Sequence, residues 1–112
     1  DIGAAVMETV KGTPFSIIRD LVGHGVGRDV HEDPQVPNYG VAGRGTELQE
    51  GLVLAIEPML SAGSDQIRTL DDRWTVVSAD GTRTAHFEHT VAITRDGPRI
   101  LTGQPDAVES AA

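Results

Sequence analysis

An almost continuous apolar run over residues 52–60 constrains this chain more than any other feature of its sequence. Only Glu57 and Pro58 interrupt the run, which is typical of a β-strand buried on both faces. Side chains of a strand alternate between its faces, so Glu57 should point the same way as Val53 and Ala55. Pro58 cannot donate to a strand ladder and predicts an interruption there. An isolated buried carboxylate costs several kcal/mol unless another group compensates its charge.

A second glutamate lies in a similar context further along the chain. Glu88 is part of residues 85–93, where strand alternation places it on one face with His86 and Thr90. His86 and His89 flank this glutamate and are both candidates to contact it, although His89 is expected on the opposite face. A buried arginine could neutralise either glutamate, but few arginines lie in apolar surroundings. A divalent cation compensates several carboxylates at once and also accepts imidazole ligands.

Two histidines lie upstream in a glycine- and proline-rich stretch, residues 23–39. His24 has glycine on both sides, and glycine allows a backbone to approach another group closely. His31 leads into a polar turn that contains proline. On its own, the stretch fits a surface loop with two histidines equally well. Combined with the two glutamates, it favours a divalent metal site with these ligands: His24, Glu57 and Glu88.

Composition excludes several functional classes. A chain of 112 residues permits one domain with a modest core. No cysteine is present, so any metal must use oxygen and imidazole ligands. The net charge of -8 and the single lysine argue against nucleic acid and anionic membranes as partners. No apolar run reaches the roughly 18 residues of a membrane span, and the start lacks signal-peptide features.

Local patterns predict an α+β fold with one helix and six mostly antiparallel strands. The helix is expected over residues 1–11, and residues 41–50 form a connecting loop. Asp80-Gly81 and Asp96-Gly97 are hairpin signals. The predicted strands cover residues 15–18, 52–60, 66–70, 74–78, 83–94 and 99–101.

These residues give the chain a resemblance to the C-terminal part of type I methionine aminopeptidases, which belong to metallopeptidase family M24. The likeness is colinear over residues 1–102, and residues 103–112 are expected to form a flexible tail. Prolidase and aminopeptidase P share the fold, but their second motif usually ends in glycine where this chain has Met59. The matching motifs are Gly23-His24-Gly25-Val26-Gly27, residues 31–39 (HEDPQVPNY), Ile56-Glu57-Pro58-Met59, Trp74-Thr75-Val76 and Phe87-Glu88-His89-Thr90.

The resemblance implies the C-terminal half of a pita-bread fold, with a curved antiparallel sheet and one or two helices. It implies a cytoplasmic metal-dependent hydrolase that removes N-terminal methionine from peptides and nascent proteins. The complete enzyme would use two divalent ions as cofactors, from among Co, Mn, Fe and Zn. By motif, three of the family's five metal ligands match positions of this sequence: His24, Glu57 and Glu88.

Other roles are implied by the same motifs. Glu57 matches the family's proposed general base, and His31 matches a histidine that contacts the scissile peptide. Trp74 and Val30 match positions that line the pocket for the methionine side chain. Val30 is smaller than its usual counterpart, which predicts a wider or shallower pocket.

The resemblance also implies an incomplete active site. The family's two aspartate ligands and a further catalytic histidine lie in an N-terminal half to which no segment of this chain corresponds. The chain also lacks an initiator methionine, which predicts a fragment. We expect it to bind metal weakly, to hydrolyse nothing alone and to require the missing half. Two alternatives stay open: a non-catalytic pita-bread relative that acts as a protein-binding module, and a fragment of a prolidase or X-Pro aminopeptidase.

Overall fold

The computed structural model describes residues 1–104, and these form one helix and ten strands. The predicted tail therefore lies almost entirely outside the described residues. The predicted helix is confirmed as α1 (Ile2–Val10), and residues 41–50 form a loop as expected. The strands are β1 (Ser16–Ile17), β2 (Gly23–Gly25), β3 (Glu32–Val36), β4 (Val53–Ile56), β5 (Met59–Ser61), β6 (Ile67–Thr69), β7 (Val76–Ser78), β8 (Thr84–His86), β9 (His89–Thr94) and β10 (Gly97–Ile100).

The described strands form three antiparallel sheets, in agreement with the predicted α+β class. The largest sheet has the order β10-β9-β4-β2-β3, the second has the order β1-β5-β8, and β6 pairs with β7 alone. The hairpin predicted at Asp96-Gly97 is confirmed, because β9 and β10 pair directly across it. The hairpin predicted at Asp80-Gly81 is wrong: the strands on either side of this turn, β7 and β8, lie in different sheets.

The apolar run is divided at Glu57 and Pro58, as the proline predicts, and its two parts join different sheets. β4 pairs with β9 in the large sheet, and β5 pairs with β8 in the second. The same register continues across the break, with Ile56 opposite His89 and Met59 opposite His86. Across the gap, the Phe87 amide donates to the Pro58 carbonyl oxygen at 3.2 Å.

The prediction of one long strand over residues 83–94 is consequently wrong. That segment breaks at Phe87 and Glu88, directly opposite the break at Glu57 and Pro58. Both strands of the ribbon pass from one sheet to the other at this point. We call this shared interruption the crease, defined by residues 57–58 and 87–88.

The glycine-rich stretch forms two strands, which argues against the alternative of a simple surface loop, and the polar turn expected after His31 lies within β3. β2 pairs with β3 on one side and with β4 on the other, and its register shifts between His24 and Gly25. Glycine is needed here because the neighbouring strands approach too closely for a side chain. A Cβ on Gly23 would overlap the carbonyl oxygen of Ala55, and one on Gly25 would overlap that of Asp33.

Replacing Gly25 by alanine should therefore destabilise the fold markedly. The added methyl meets backbone atoms, which cannot rotate away, so we expect a loss of about 2 kcal/mol in the free energy of unfolding. Urea denaturation followed by circular dichroism measures this loss. Gly45→Ala is the matched control, because no atom lies within 4 Å of its Cβ position. Equal stability of the two variants would contradict the close packing at Gly25.

The core of the described residues is small, and most of its members belong to the large sheet. Its buried apolar members are Ile18, Val36, Leu54, Ala55, Met59 and Val91. Large apolar side chains are exposed as well; Phe87, for example, is 74% exposed. Among the described residues, no helix is long and apolar enough to cross a membrane.

Candidate metal centre

Strand pairing brings three of the predicted site residues to one end of the large sheet. His24 lies opposite Ala55, and Ala55 lies opposite Thr90. Directly opposed residues point to the same face of a sheet. Glu57 and Glu88 lie two residues beyond Ala55 and Thr90 toward the crease, so alternation places them on the face that carries His24.

The side chains of these three residues converge. His24, Glu57 and Glu88 each offer a ligand atom, and these atoms all lie within 4.8 Å of one another. His24 and Glu57 are largely enclosed, with side-chain exposures of 14% and 13%, whereas Glu88 is 46% exposed. The cluster therefore has a shielded side formed by β2 and β4 and an open side at Glu88.

The proton positions around His24 fit a cation ligand. Its Nδ1 lies 2.8 Å from the carbonyl oxygen of Gly25, which only accepts, so Nδ1 carries the proton. In the neutral ring, Nε2 then presents a lone pair, and it lies 3.3 Å from Oε1 of Glu57. Two bare acceptors at this distance repel each other, so either a second proton on Nε2 or a bound cation must lie between them. Two ligand atoms that share one ion at roughly 2.1 Å have about this separation.

The alternative of an arginine partner is not realised at either glutamate. Within residues 1–104, the basic side chains within 4 Å of the Glu57 carboxylate are His24 and His86, and the one within 4 Å of Glu88 is His86. Among the described residues, the arginine that forms an ion pair is Arg95, and its partner is the exposed Glu50, not Glu57 or Glu88. Charge compensation at Glu57 and Glu88 is therefore left to imidazoles and to any bound cation.

Two further side chains hold Glu57. His86 places its Nε2 3.1 Å from Oε2 of Glu57, whereas His89 contacts Thr102 instead. Asn38, which is fully buried, donates from Nδ2 to the backbone carbonyl oxygen of Glu57 at 3.1 Å. The Oδ1 atom of Asn38 has no hydrogen-bond partner among the described residues. Sequence reasoning missed Asn38 because Pro37-Asn38-Tyr39-Gly40 resembles an ordinary turn.

The other predicted site residues lie at the margin of the cluster or away from it. The ring of His31 lies 4.2 Å from that of His24, centroid to centroid, at an angle of 45°. Val30 is 72% exposed and Trp74 is 87% exposed, so neither lines an enclosed pocket within this chain. Two open grooves lie near α1, and neither is lined by any of the three clustered residues.

Trp74 is carried by a well-defined turn between β6 and β7. Asp72 accepts from the backbone amides of Trp74 and Thr75 at 3.0 and 2.9 Å and from the Thr75 hydroxyl. The Thr75 hydroxyl and these two amides hold the pKa of the Asp72 carboxyl below its usual value. The turn thus fixes the backbone beside Trp74 while its indole stays in solvent.

Comparison with known proteins gives this cluster a context. The sequence pattern described as "Metallopeptidase family M24" matches residues 1–95. A methionine aminopeptidase of Clostridium perfringens is 58% identical over 102 residues, which cover 91% of this chain and 41% of that protein. Methionine aminopeptidase 1 of Bacillus subtilis is 55% identical with the same coverage.

Solved structures give the same picture. The chain superposes on a methionine aminopeptidase from Thermotoga maritima with a TM-score of 0.89 and 53% identity, over 93% of this chain and 42% of that one. The corresponding enzyme from Rickettsia prowazekii gives a TM-score of 0.88 at 40% identity. The chain therefore spans about two fifths of the length of the relatives that it matches.

Proposed function

Because this chain belongs to metallopeptidase family M24, we propose that it supplies one half of the active site of a metal-dependent methionine aminopeptidase. Its architecture is the C-terminal half of the pita-bread fold, as the motifs predict. The proposed substrate is the N-terminal methionine of a peptide or nascent chain, which implies a cytoplasmic location. The net charge of -8 makes nucleic acid an unsuitable partner.

The observation that carries the proposal is the convergence of one imidazole and two carboxylates without a lysine or arginine among the described residues to neutralise them. We assign His24, Glu57 and Glu88 as the protein ligands that this chain contributes. Imidazole and carboxylate suit Co, Mn, Fe and Zn. When bound, such ions lower the pKa of water towards neutrality and polarise a carbonyl group.

The chain's own residues divide the remaining chemistry between them. Glu57 accepts a proton from the attacking water while the oxygen of that water bonds to the carbonyl carbon of methionine. As the carbon–nitrogen bond breaks, that proton passes to the leaving nitrogen, which completes the hydrolysis. His31 lies beside His24 and donates a hydrogen bond to the scissile peptide. Val30 and Trp74 provide part of the pocket for the methionine side chain.

We further propose that a complementary half supplies the remaining ligands and covers the open side of the cluster. The 46% exposure of the Glu88 side chain and the 87% exposure of Trp74 both support a missing wall. In this proposal, residues 1–102 form the C-terminal half of a catalytic domain, and docking of the other half encloses the methionine pocket.

A chimera tests the proposal. Residues 1–102 replace the matching segment of the Clostridium perfringens methionine aminopeptidase, to which they are 58% identical. We expect the purified chimera to release methionine from a Met-Ala peptide only when a divalent metal is supplied. The 112-residue chain by itself should release none. Free methionine is measured by chromatography after a fixed incubation.

Two results would contradict the assignment, and each points to a different alternative. A chimera that binds metal and cleaves nothing would indicate a non-catalytic relative. A chimera that cleaves X-Pro peptides in preference to Met-Ala would indicate a prolidase-type enzyme. Release of methionine by the isolated 112-residue chain would instead overturn the requirement for a second half.

A further inference from the structure

His86 lies beside the cluster without belonging to it. It is the last residue of β8, opposite Met59 and directly before the crease. Its side chain is 49% exposed, so burial alone does not fix its position. Two acidic side chains, Glu57 and Glu88, lie near it. Its distances to them differ enough to show which one accepts a hydrogen bond from His86.

The hydrogen bond of His86 is to Glu57. Nε2 of His86 lies 3.1 Å from Oε2 of Glu57 and 3.9 Å from Oε2 of Glu88, and only the shorter distance is that of a hydrogen bond. An ionised carboxylate only accepts hydrogen bonds, so Nε2 of His86 carries the proton and donates it. With its lone pair on Nδ1, the neutral ring does not offer Nε2 as a metal ligand.

The two oxygens of Glu57 therefore face different imidazoles. Oε2 accepts from His86, while Oε1 faces Nε2 of His24 at 3.3 Å. A carboxylate is planar, so fixing Oε2 also fixes the direction of Oε1. The backbone at Glu57 is already held by Asn38. What His86 adds is control of the carboxylate's rotation.

We propose that His86 is a positioning residue that orients the Glu57 carboxylate so that Oε1 faces the metal cluster. This inference rests on the proposed metal site and adds to it a residue outside the ligand set. Groups that hydrogen-bond to a metal ligand typically change metal affinity about 10- to 100-fold when they are removed. We expect about 10-fold here, the lower end of that range, because the exposed site lets water replace part of the imidazole's role.

The test uses Co²⁺ titration of the 112-residue chain at one fixed pH, followed by visible absorption. His86→Gln and His86→Asn form the decisive pair, because both carry an amide donor but only glutamine reaches as far as Nε2 of histidine. We expect His86→Gln to bind Co²⁺ like the parent chain and His86→Asn to bind about 10-fold more weakly with an altered spectrum. His89→Ala is the control, since His89 contacts Thr102 and should leave the titration unchanged.

Each outcome decides the role of His86. If His86→Asn binds as tightly as the parent, or if His86→Gln binds as weakly as His86→Asn, the positioning role is overturned. Circular dichroism of both variants controls for folding, and the two substitutions have similar polarity. Failure of the metal site itself has a different signature: His24→Ala would then bind Co²⁺ as well as the parent chain does.

Discussion

Replacing Glu57 by glutamine is expected to abolish divalent metal binding while leaving the fold intact. The amide has almost the same shape as the carboxylate but carries no charge, and it offers a weaker ligand to a cation. Residues that only support a ligand already change affinity by up to about 100-fold, so loss of a ligand should exceed that value. Isothermal titration with Co²⁺ or Mn²⁺ measures the loss in the 112-residue chain.

The stability of the same variant provides an independent check. Glu57 is 13% exposed, and without a cation its carboxylate is held only by imidazoles. Removing a poorly solvated charge should therefore leave the melting temperature of the metal-free protein unchanged or slightly raised. Glu50→Gln is the control, because Glu50 is exposed and lies beside Arg95. Metal binding by Glu57→Gln equal to that of Glu50→Gln would rule out the proposed centre.

Replacing His31 by alanine in the chimera should lower the rate of methionine release without weakening metal binding. His31 lies beside His24 but is not one of the three clustered ligand residues. In the proposed function it donates to the scissile peptide, and removal of one such donor typically costs about 10²-fold in kcat. The two readouts are the rate of release from Met-Ala and the Co²⁺ affinity of the same preparation.

A control variant and two contrary results define the test of His31. His89→Ala should retain both rate and affinity, because its imidazole bonds to Thr102. A parallel fall in rate and in Co²⁺ affinity for His31→Ala would place this side chain among the groups that hold the metal. An unchanged rate would remove it from the chemistry altogether.

Much of this fold and the clustering of its site residues could be predicted from the sequence. Period-two alternation placed Glu57 and Glu88 on defined faces of apolar strands, and strand pairing then brought those faces together with His24. The predicted pita-bread half is confirmed by the superposition on the Thermotoga maritima enzyme. These predictions succeeded because burial of apolar strands strongly restricts which way each side chain points.

The errors have a common physical origin. Local preference did not indicate β2 or β3, since glycine and proline disfavour strands when judged in that way. Their pairing depends on close backbone approach, which for Gly23 is to Ala55, thirty-two residues further along the chain. Similarly, no local pattern shows that residues 83–94 change sheet at the crease. The exposure of Trp74 was also not predictable, because no local pattern shows which turns the rest of the chain leaves uncovered.

The crease has a mechanical consequence for the proposed centre. Glu57 and Glu88 lie on opposing strands at the point where the ribbon passes from one sheet to the other, and His24 belongs to the larger sheet alone. In the proposed site, an ion held by all three residues cross-links the chain segments at the crease, where the two sheets adjoin. Ligand binding to the folded state alone stabilises it by mass action, so the folded arrangement of the two sheets becomes more stable as the concentration of free metal rises.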